Sequence, residues 1–347
     1  MLADRVAAFI RSPVEEEFDP LALQAFAFQY QRIEPYRRLC DRQGATPANV
    51  DHWSRAPAVP ALAFKSLELA AAEPQETFRS SGTTGASRSI HRHPFPDLYR
   101  LVIESSFPSS LLAGGPTPVM LSLIPTREQA PDSSLSFMVD HVLRTWGAAD
   151  SVVTFGPQGI EARPARSFLA ARQRDRRPTL VLTTAFALVQ LLESLTRLDL
   201  RFRLPPGSRI FETGGYKGRA RDIDRAELLA RIEERLAVRP EAVVREYGMT
   251  ELTSHFYTRV LDGGDPDLFL PPAWTRVRIL DPETLEESPK GQTGLVCVFD
   301  LANIGSAVHL LTEDLGVAED EGFRLQGRAA GAELRGCSLT VEELSAS

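Results

Sequence analysis

The spacing of hydrophobic positions changes twice along the chain and divides it into three sections. In residues 1–58 apolar residues recur every three or four positions, as in PLALQAFAFQYQRI and PYRRLCDRQG, and this spacing predicts helices. In residues 59–272 short apolar runs alternate with amphipathic stretches, which indicates strands alternating with helices. From Trp274 onward the apolar residues form short β-type runs, TRVRILD, GLVCVFD, AVHLLTEDLG and GFRLQGR. We therefore expect an N-terminal helical region (1–58), an α/β core (59–272) and a smaller β-rich subdomain (273–347).

The central section shows the alternation most clearly. Its predicted strands are VMLSLIP (from Val119), SVVTFG, TLVLTT, SRIFETGG and AVVRE, and its predicted helices include LSFMVDHVLRTW, AFALVQLLESL and ARDIDRAELLARIEERLAV. Strands that alternate with helices pair in a parallel or mixed sheet, because each helix crosses a face of the sheet. The fold class expected for the chain is therefore α/β with a large mixed sheet.

Composition and charge narrow the classes of function. The chain has 347 residues, of which 43% are hydrophobic and 24% charged, as in an ordinary globular protein. Its formal net charge is −7, and acidic and basic residues are interspersed without a long block of one sign. Non-specific nucleic-acid binding, which depends on clustered positive charge, is therefore not expected.

The N-terminus and the cysteines favour a cytoplasmic protein. MLADRVAAFIRS reaches Asp4 and Arg5 before any long apolar run, unlike a secretory signal peptide. The most apolar stretch, from Thr179, is interrupted by polar residues and falls short of the roughly 20 apolar residues that span a bilayer. Three cysteines, Cys40, Cys297 and Cys337, match no zinc spacing, and a sparse, odd number suits a reducing compartment.

One short stretch is chemically unusual. Ser80–Gly85, SSGTTG, places four hydroxyl residues and two glycines in six positions, which favours a loop over a helix or strand. The amide and hydroxyl donors of such a loop can converge on a phosphate. A solvated turn is the alternative, and the Gly-Lys-Ser/Thr ending of a P-loop is missing.

Two later loops also follow predicted strands. In FETGGYKGR, Gly214 and Gly215 permit close approach of a flat ligand on which Tyr216 stacks, and in REYGMTELTSH, Glu251 is placed to face a cation. We expect these two loops and the Ser80 loop to lie at the carboxyl edge of the sheet, where ligands of α/β proteins usually bind.

In this order the motifs resemble those of the adenylate-forming enzymes, which include acyl-CoA synthetases and the adenylation domains of peptide synthetases. The resemblance is carried by SSGTTG, by YGMTE (Tyr247–Glu251), by TEDLG (Thr312–Gly316) and by the Gly-Arg pair that ends at Arg328. It covers the chain from about residue 60 to the end. It implies an adenylate-forming α/β domain whose core (59–272) binds Mg·ATP.

The resemblance also implies roles for individual residues. Catalytic roles fall to Cys337, Thr84, Glu251 and Arg88, with Mg²⁺ on Glu251 and Thr84. The residues implied in nucleotide binding are Ser80, Ser81, Gly82, Thr83 and Gly85 for the phosphates, Gly214, Gly215 and Tyr216 for adenine, Asp314 and Arg328 for ribose, and Tyr247, Gly248 and Thr250 of the second motif.

Finer features are similar to one branch, the LuxE-type bacterial acyl-protein synthetases. VPALAFKS, GGYK and GRAAGAELRGCSL carry this similarity. It implies that a fatty acid is adenylated, captured on a cysteine near the C-terminus and passed to a reductase, and Cys337 stands in the matching position. Ser87-Arg88-Ser89 replaces the Pro-Lys-Gly found after the loop in most relatives, and the chain stops ten residues after Cys337, where larger relatives continue with a lid domain.

Several alternatives stay open at this point. The chain is an acyl-protein synthetase, a stand-alone ligase that acylates CoA or the phosphopantetheine of an acyl carrier protein, an acyltransferase without adenylation, or a silent subunit that scaffolds a reductase. Cys337 is alternatively a packed apolar residue, Glu251 a helix cap and Asp314 part of a turn. His91 and His93 point to one side of a strand, but two ligands do not make a metal site. His255 either lines an acyl pocket or lies at the surface.

Overall fold

The computed structural model describes residues 1–81, 87–112, 118–214 and 223–329. It is a mixed α/β structure, as the alternation of apolar runs predicts. The chain folds into two compact units. The first unit comprises Met1–Ser105, Met249–Phe256 and the described residues from Leu268 onward, and the second comprises Ser106–Gly248 and Tyr257–Asp267.

The elements of the described residues are as follows. The helices are α1 (Leu2–Arg11), α2 (Phe18–Arg32), α3 (Glu34–Arg42), α4 (Pro96–Phe107), α5 (Ser134–Trp146), α6 (Ala162–Asp175), α7 (Ala185–Arg197) and α8 (Arg225–Leu236). The strands are β1 (Val59–Pro60), β2 (Glu76–Arg79), β3 (Ile90–His93), β4 (Val119–Ser122), β5 (Val152–Val153), β6 (Phe155–Gly156), β7 (Gly159–Ile160), β8 (Thr179–Thr184), β9 (Arg209–Thr213), β10 (Val243–Tyr247), β11 (Phe256–Tyr257), β12 (Thr275–Leu280), β13 (Thr293–Asp300), β14 (His309–Ala318) and β15 (Phe323–Arg328). Short helical turns lie at Glu15–Glu17, Trp53–Arg55, Ala61–Lys65, Pro108–Leu112, Pro240–Ala242, Val260–Asp262 and Leu301–Asn303.

The second unit is built on a six-stranded sheet in the order β11-β10-β9-β8-β4-β5. The pairings β5–β4, β4–β8, β8–β9 and β9–β10 are parallel, so the carboxyl ends of these five strands share one edge. Strand β8 is buried along nearly its whole length, as expected for a parallel strand covered on both faces. Its last residue, Thr184, caps helix α7 by accepting a hydrogen bond from the Ala187 amide at 3.2 Å. The predicted strand SVVTFG is interrupted and forms β5 and β6.

The first unit contains a mostly antiparallel sheet. Strands β12, β13, β14 and β15 pair in sequence order, and β1 pairs with β14 in parallel. Aromatic contacts join the N-terminal helices to this sheet, because the Phe299 ring lies 6.1 Å from Phe18 and 5.5 Å from Trp53. The N-terminal helices and the strands after Trp274 therefore belong to one compact unit. The division into 1–58, 59–272 and 273–347 follows chain order and stays a prediction.

Candidate functional site

Strands β2 and β3 form a hairpin, and the predicted phosphate loop lies between them. The hairpin register pairs Arg79 with Ile90, and the next residues, Ser80 and Ser89, continue the pairing. The Ser80 amide donates to the Ser89 carbonyl at 3.1 Å, and the Ser89 amide donates to the Ser80 hydroxyl at 3.0 Å. The first serine of the motif therefore closes the neck of the loop, while exposed Ser81 begins the loop itself.

Arg88 also contributes to this neck. Its guanidinium donates to the main-chain carbonyls of Ser80 and Arg79, the latter at 3.3 Å. The sequence assigns Arg88 the position of the lysine found in most relatives. A planar guanidinium can bind two adjacent carbonyls, whereas an ammonium is a point charge. Arg88 is thus placed to shape the loop from its base.

Glu251 is a buried carboxylate, with 6% of its surface exposed. Burial raises the pKa of Glu251, whereas a hydrogen bond from the Ser89 hydroxyl and the positive charge of Arg328 oppose that rise. The nearby charge of Glu313 adds to it. The YGMTE glutamate therefore lies at the neck of the predicted phosphate loop, where the charge of Arg328 acts on it.

Asp314 and Arg328 are cross-strand partners on β14 and β15. The Arg328 Nε atom donates to Asp314 Oδ1 at 3.2 Å, and its Nη2 atom lies 3.8 Å from Glu313 Oε2. The Asp314 side chain is 17% exposed and that of Arg328 is 68% exposed, so both reach the surface. The two residues that the sequence assigns to ribose are thus brought together.

The described residues supply only part of a binding site for a divalent metal ion. Among the residues that the structure describes, no group of three or more His, Cys, Asp or Glu side chains is arranged to hold a metal ion. Mg²⁺ in nucleotide enzymes is usually bound by one or two carboxylates together with substrate phosphates. The Glu251 carboxylate fits that mode, in which the nucleotide supplies the remaining ligands.

In the second unit, Gly214 follows β9, and Tyr247 is the last residue of the neighbouring parallel strand β10. Thr213 at the end of β9 is paired with Glu246 near the end of β10, so both loops start at the same edge of the sheet. Gly214 has φ +72°, a left-handed conformation that strains any side-chain-bearing residue. Tyr247 is buried, with 7% of its surface exposed, and Gly248 follows it. The shared edge predicted for these two loops is present. The Ser80 loop, predicted at the same edge, instead connects the strands of the separate antiparallel hairpin β2-β3.

The structure reveals a polar network around the segment Thr250–Ser254, which we call the glutamate loop. Asp300 and Asn303, about 50 residues later in the chain, hydrogen-bond to this loop and are buried. Neither residue was predicted from the sequence to belong to the site. A signal was available, because an Asp and an Asn three positions apart after a strand are typical of a turn, but nothing local indicates their partners.

His91 and His93 belong to the same network. His91 Nδ1 donates to the Thr250 carbonyl at 2.7 Å, and His93 Nε2 lies 3.0 Å from the Thr253 hydroxyl. Burial lowers the pKa of His91 to about 4 and lowers that of His93 well below its ordinary value, so both rings are neutral near pH 7. His255 is buried and stacks on Tyr99 with ring centroids 5.5 Å apart.

The two cysteines that the structure describes are both buried. Burial raises the pKa of Cys40 to about 12, so its thiol does not ionise near neutral pH. Cys297 lies 3.3 Å from His309 Nε2, and His309 Nδ1 donates to the Ala56 carbonyl at 2.7 Å. Both thiols are thus enclosed by the fold rather than presented to a substrate.

The remaining predicted site residues lie outside the described part of the chain; they are Gly82, Thr83, Thr84, Gly85, Gly215, Tyr216 and Cys337. Their roles stay predictions. Within the described ranges, no helix combines the length and hydropathy needed to cross a membrane.

Comparison with known structures identifies the fold. The 2-hydroxyisobutyryl-CoA ligase in complex with its acyl-AMP and CoA superposes with a TM-score of 0.65 at 15% identity, covering 89% of this chain and 69% of the ligase. ATP-bound MatB from Rhodopseudomonas palustris superposes with a TM-score of 0.52 at 18% identity, covering 73% of this chain and 47% of MatB. At these identities the likeness concerns the fold, which is that of adenylate-forming ligases.

Sequence comparison identifies the family. Two curated relatives are both named long-chain-fatty-acid–luciferin-component ligase. The one from Aliivibrio fischeri is 22% identical over 326 residues, covering 90% of this chain and 84% of the relative. The one from Vibrio harveyi is 23% identical over 335 residues, covering 92% and 85%. The model of the family described as "Acyl-protein synthetase, LuxE" matches residues 167–345, which is more than half of the sequence. The resemblance drawn from the motifs is therefore confirmed, and the chain is an enzyme that belongs to the LuxE family of acyl-protein synthetases.

Proposed function

We propose that this enzyme uses Mg·ATP to convert a long-chain fatty acid into an acyl-adenylate and then captures the acyl group on Cys337. The observation that carries the proposal is the position of Glu251. Its buried carboxylate meets Ser89, at the neck of the Ser80 loop, and the charge of Arg328. The names of the two curated relatives support the fatty acid as substrate.

The first half-reaction brings two anions together. An oxygen of the fatty-acid carboxylate forms a bond to the α-phosphorus of ATP, the bond from that phosphorus to the bridging oxygen breaks, and pyrophosphate leaves. Positioning and charge neutralisation therefore matter more than proton transfer. The donors of Ser80, Ser81, Gly82, Thr83 and Gly85 would bind the phosphates, with Arg88 shaping the loop at its base.

The nucleotide would be held by the other motifs. The loop of Gly214, Gly215 and Tyr216 would bind adenine, and Asp314 with Arg328 would bind ribose. Glu251 and Thr84 would hold Mg²⁺, which neutralises phosphate charge when bound.

In the second half-reaction the Cys337 thiolate attacks the acyl carbonyl. A thioester bond forms, the mixed anhydride bond breaks and AMP leaves; the thiol proton is lost to solvent. Arg335, two residues before Cys337, would favour the thiolate. The thioester would then pass to a reductase or to an acyl carrier protein.

Exchange of labelled pyrophosphate into ATP, driven by a set of carboxylic acids, tests the first half-reaction. We expect long-chain fatty acids to support exchange, and Glu251→Gln to lower the rate about 100-fold or more, because the charge is lost while the size is kept. Glu287→Gln, at an exposed glutamate of the same unit, serves as the control. Near-normal exchange by Glu251→Gln would show that YGMTE has only a structural role.

Nucleotide affinity tests the Ser80 loop separately. Replacing Thr83 and Thr84 together by alanine is expected to raise the dissociation constant of Mg·ATP strongly, measured by calorimetry. An unchanged affinity in the double variant would remove the loop from the nucleotide site.

Labelling tests the second half-reaction. With ATP, Mg²⁺ and a radiolabelled fatty acid, the wild type is expected to acquire a label that neutral hydroxylamine releases. Cys337→Ser should lose this label and still make acyl-adenylate, whereas Cys40→Ala should keep it. Equal labelling of wild type and Cys337→Ser, or adenylate formation without any labelled protein, would favour CoA or a carrier-protein thiol as the acceptor.

A further inference from the structure

The glutamate loop, Thr250–Ser254, is not part of a β-ladder. It forms turns between β10 and β11, and one of its few main-chain hydrogen bonds to the chain nearby runs from Leu252 to Met249 at 3.2 Å. Buried main-chain groups must nevertheless find partners. Here side chains supply most of them, which means that distant residues determine where the loop lies.

Asn303 is one of these residues, and its side chain is fully used. Its Nδ2 atom donates to the carbonyls of Glu251 and Ala307, each at 2.9 Å. Its Oδ1 atom accepts from the Thr253 hydroxyl at 3.0 Å. Two carbonyls on one side and a hydroxyl on the other define the orientation of the amide. Asn303 therefore holds the main chain at Glu251 itself.

These contacts also determine which atoms of the Thr253 hydroxyl and the His93 imidazole donate and which accept. The single proton of the Thr253 hydroxyl goes to Asn303, so the hydroxyl oxygen must accept from His93 Nε2. Protonation of His93 is thereby assigned to Nε2, and the buried Nδ1 atom has no hydrogen-bond partner among the residues that the structure describes. The loop is held in one arrangement by directional contacts.

Asp300 holds the other end of the loop. Its carboxylate accepts from the amides of Thr253 and Ser254, at 3.1 and 2.8 Å, and from the Ser254 hydroxyl at 2.7 Å. It also accepts from the Ala302 amide at 3.0 Å, which caps the turn Leu301–Asn303. Asp300 and Asn303 are therefore rigidly connected, and the loop is held on both sides of Leu252.

We propose that Asn303 is a positioning residue for adenylation, which acts by holding the Glu251 main chain so that the Glu251 carboxylate stays at the neck of the Ser80 loop. The inference rests on the proposed function of Glu251. A carboxylate displaced by about 1 Å loses a large part of its effect on a reaction that depends on placement. In this role Asn303 acts through the main chain of Glu251.

A double-mutant cycle on the full-length protein tests this role. Asn303→Ala is expected to lower the kcat of fatty-acid-dependent pyrophosphate exchange about 10- to 100-fold, with a much smaller change in the KM for ATP. If Asn303 acts through Glu251, then Asn303→Ala/Glu251→Gln should be no slower than Glu251→Gln alone. A general structural role predicts instead that the two losses multiply.

Ser306→Ala is the matched control. Ser306 is buried in the adjacent turn, and its hydroxyl donates to the Leu69 carbonyl at 2.7 Å, away from the glutamate loop. The Ser306→Ala variant should have a lower melting temperature than the wild type, as is expected for Asn303→Ala, and should keep a near-normal kcat. If Asn303→Ala does not fold, Thr253→Val removes the hydroxyl contact to Asn303 in a nearly equal volume, and a smaller loss of the same kind is expected.

The outcomes separate the two proposals. Losses that multiply in the cycle, or an equal loss of kcat in Ser306→Ala, would overturn the positioning role while the Glu251 assignment stands. A normal rate for Glu251→Gln would overturn the assignment of Glu251 and the positioning role with it. A normal rate for Asn303→Ala beside a slow Glu251→Gln would overturn only the positioning role.

Discussion

The core of the six-stranded sheet and the glutamate loop are both buried, but they are held by different forces. The core consists of aliphatic and aromatic side chains such as Val181, Leu191 and Ile210, packed between strands and helices. The glutamate loop is surrounded by Asp300, Asn303 and the two histidines of β3. Apolar burial contributes in proportion to area and is not directional, whereas hydrogen bonds depend on angle and distance.

The apolar core mainly provides stability, whereas the polar network mainly determines the position of the glutamate loop. An apolar core tolerates exchange of one side chain for another of similar volume. A buried polar network costs desolvation and returns little net stability, but it permits only the arrangement in which every donor has an acceptor. We therefore expect substitutions in the core to change the free energy of unfolding most, and substitutions around the loop to change activity beyond their effect on stability.

The largest loss of stability is expected in the core. Leu191 is completely buried on α7, so Leu191→Ala should lower the free energy of unfolding by about 2–5 kcal/mol through lost apolar contact and a residual cavity. Urea denaturation measures it. Leu198→Ala, at a leucine that is 49% exposed, should change the value by less than about 0.5 kcal/mol. Equal losses would show that this core is not the main source of stability.

Asp300→Asn should lower stability less and activity more. The carboxylate of Asp300 accepts hydrogen bonds from main-chain N–H groups such as those of Ser254 and Ala302. After the substitution, the side-chain NH₂ group faces at least one of these N–H groups, which then has no acceptor. Each buried donor left without a partner costs about 1–3 kcal/mol. We expect a loss of this size in urea denaturation, and a fall in pyrophosphate exchange that persists under conditions where the variant is fully folded. Full activity in the folded variant would contradict the distinction between core and loop.

The buried histidines predict a loss of stability in acid. The pKa of His91 and that of His309 are both lowered to about 4 by burial, against an ordinary value near 6.5. Between these values the unfolded chain binds protons that the folded protein does not, so the free energy of unfolding falls as the pH falls from about 6.5 to 4. Each such histidine contributes up to about 1.4 kcal/mol per pH unit.

Substitution of a single histidine separates its contribution to the pH dependence from that of the buried carboxylates. The raised pKa values of Glu251 and Asp300 act with the opposite sign, because the folded protein binds protons more readily at these groups. His91→Gln should therefore flatten the pH dependence of the free energy of unfolding between pH 6.5 and 4 relative to the wild type. An unaltered slope in His91→Gln would mean that His91 does not titrate differently in the folded and unfolded states.

The smallest effect is expected for an exposed ion pair. Arg201 Nη2 lies 3.0 Å from Glu234 Oε1, but their side chains are 61% and 45% exposed. Solvent and salt weaken such pairs, so Arg201→Gln should change the free energy of unfolding by less than about 0.5 kcal/mol at 0.15 M salt. A larger loss would show that polar contacts stabilise this protein without burial.

The sequence predicted the order of helices and strands well. Repeats of apolar residues report the local conformation, because they depend only on which face of a helix or strand is buried. Strand β8, helix α7 and the strands after Trp274 lie where these repeats predict them. Asp314 and Arg328, which the motif resemblance assigned to one ligand, are cross-strand neighbours, while their role in binding ribose stays a prediction.

Other features of the site could not be predicted from local sequence patterns. A metal site at His91 and His93 was not expected from the sequence, and no other role was predicted for them; the fold uses both to hold the glutamate loop. His255 was expected in a pocket or at the surface, and it is buried and stacks on Tyr99. The side chain of Arg88 was expected to replace a lysine, and it binds the carbonyls at the loop's neck. Each of these outcomes depends on which distant segment packs beside the residue.

The sequence by itself determined the fold class, the family motifs and the candidate phosphate loop, because adjacent residues decide secondary structure and the chemistry of a short loop. Only the tertiary structure decided that Asn303 holds the main chain at Glu251, since a contact between residues 52 positions apart depends on how two strands and a turn pack. A hydrogen bond forms when distance and angle are both right. That condition is met by the packed chain as a whole and is not encoded in either residue type alone.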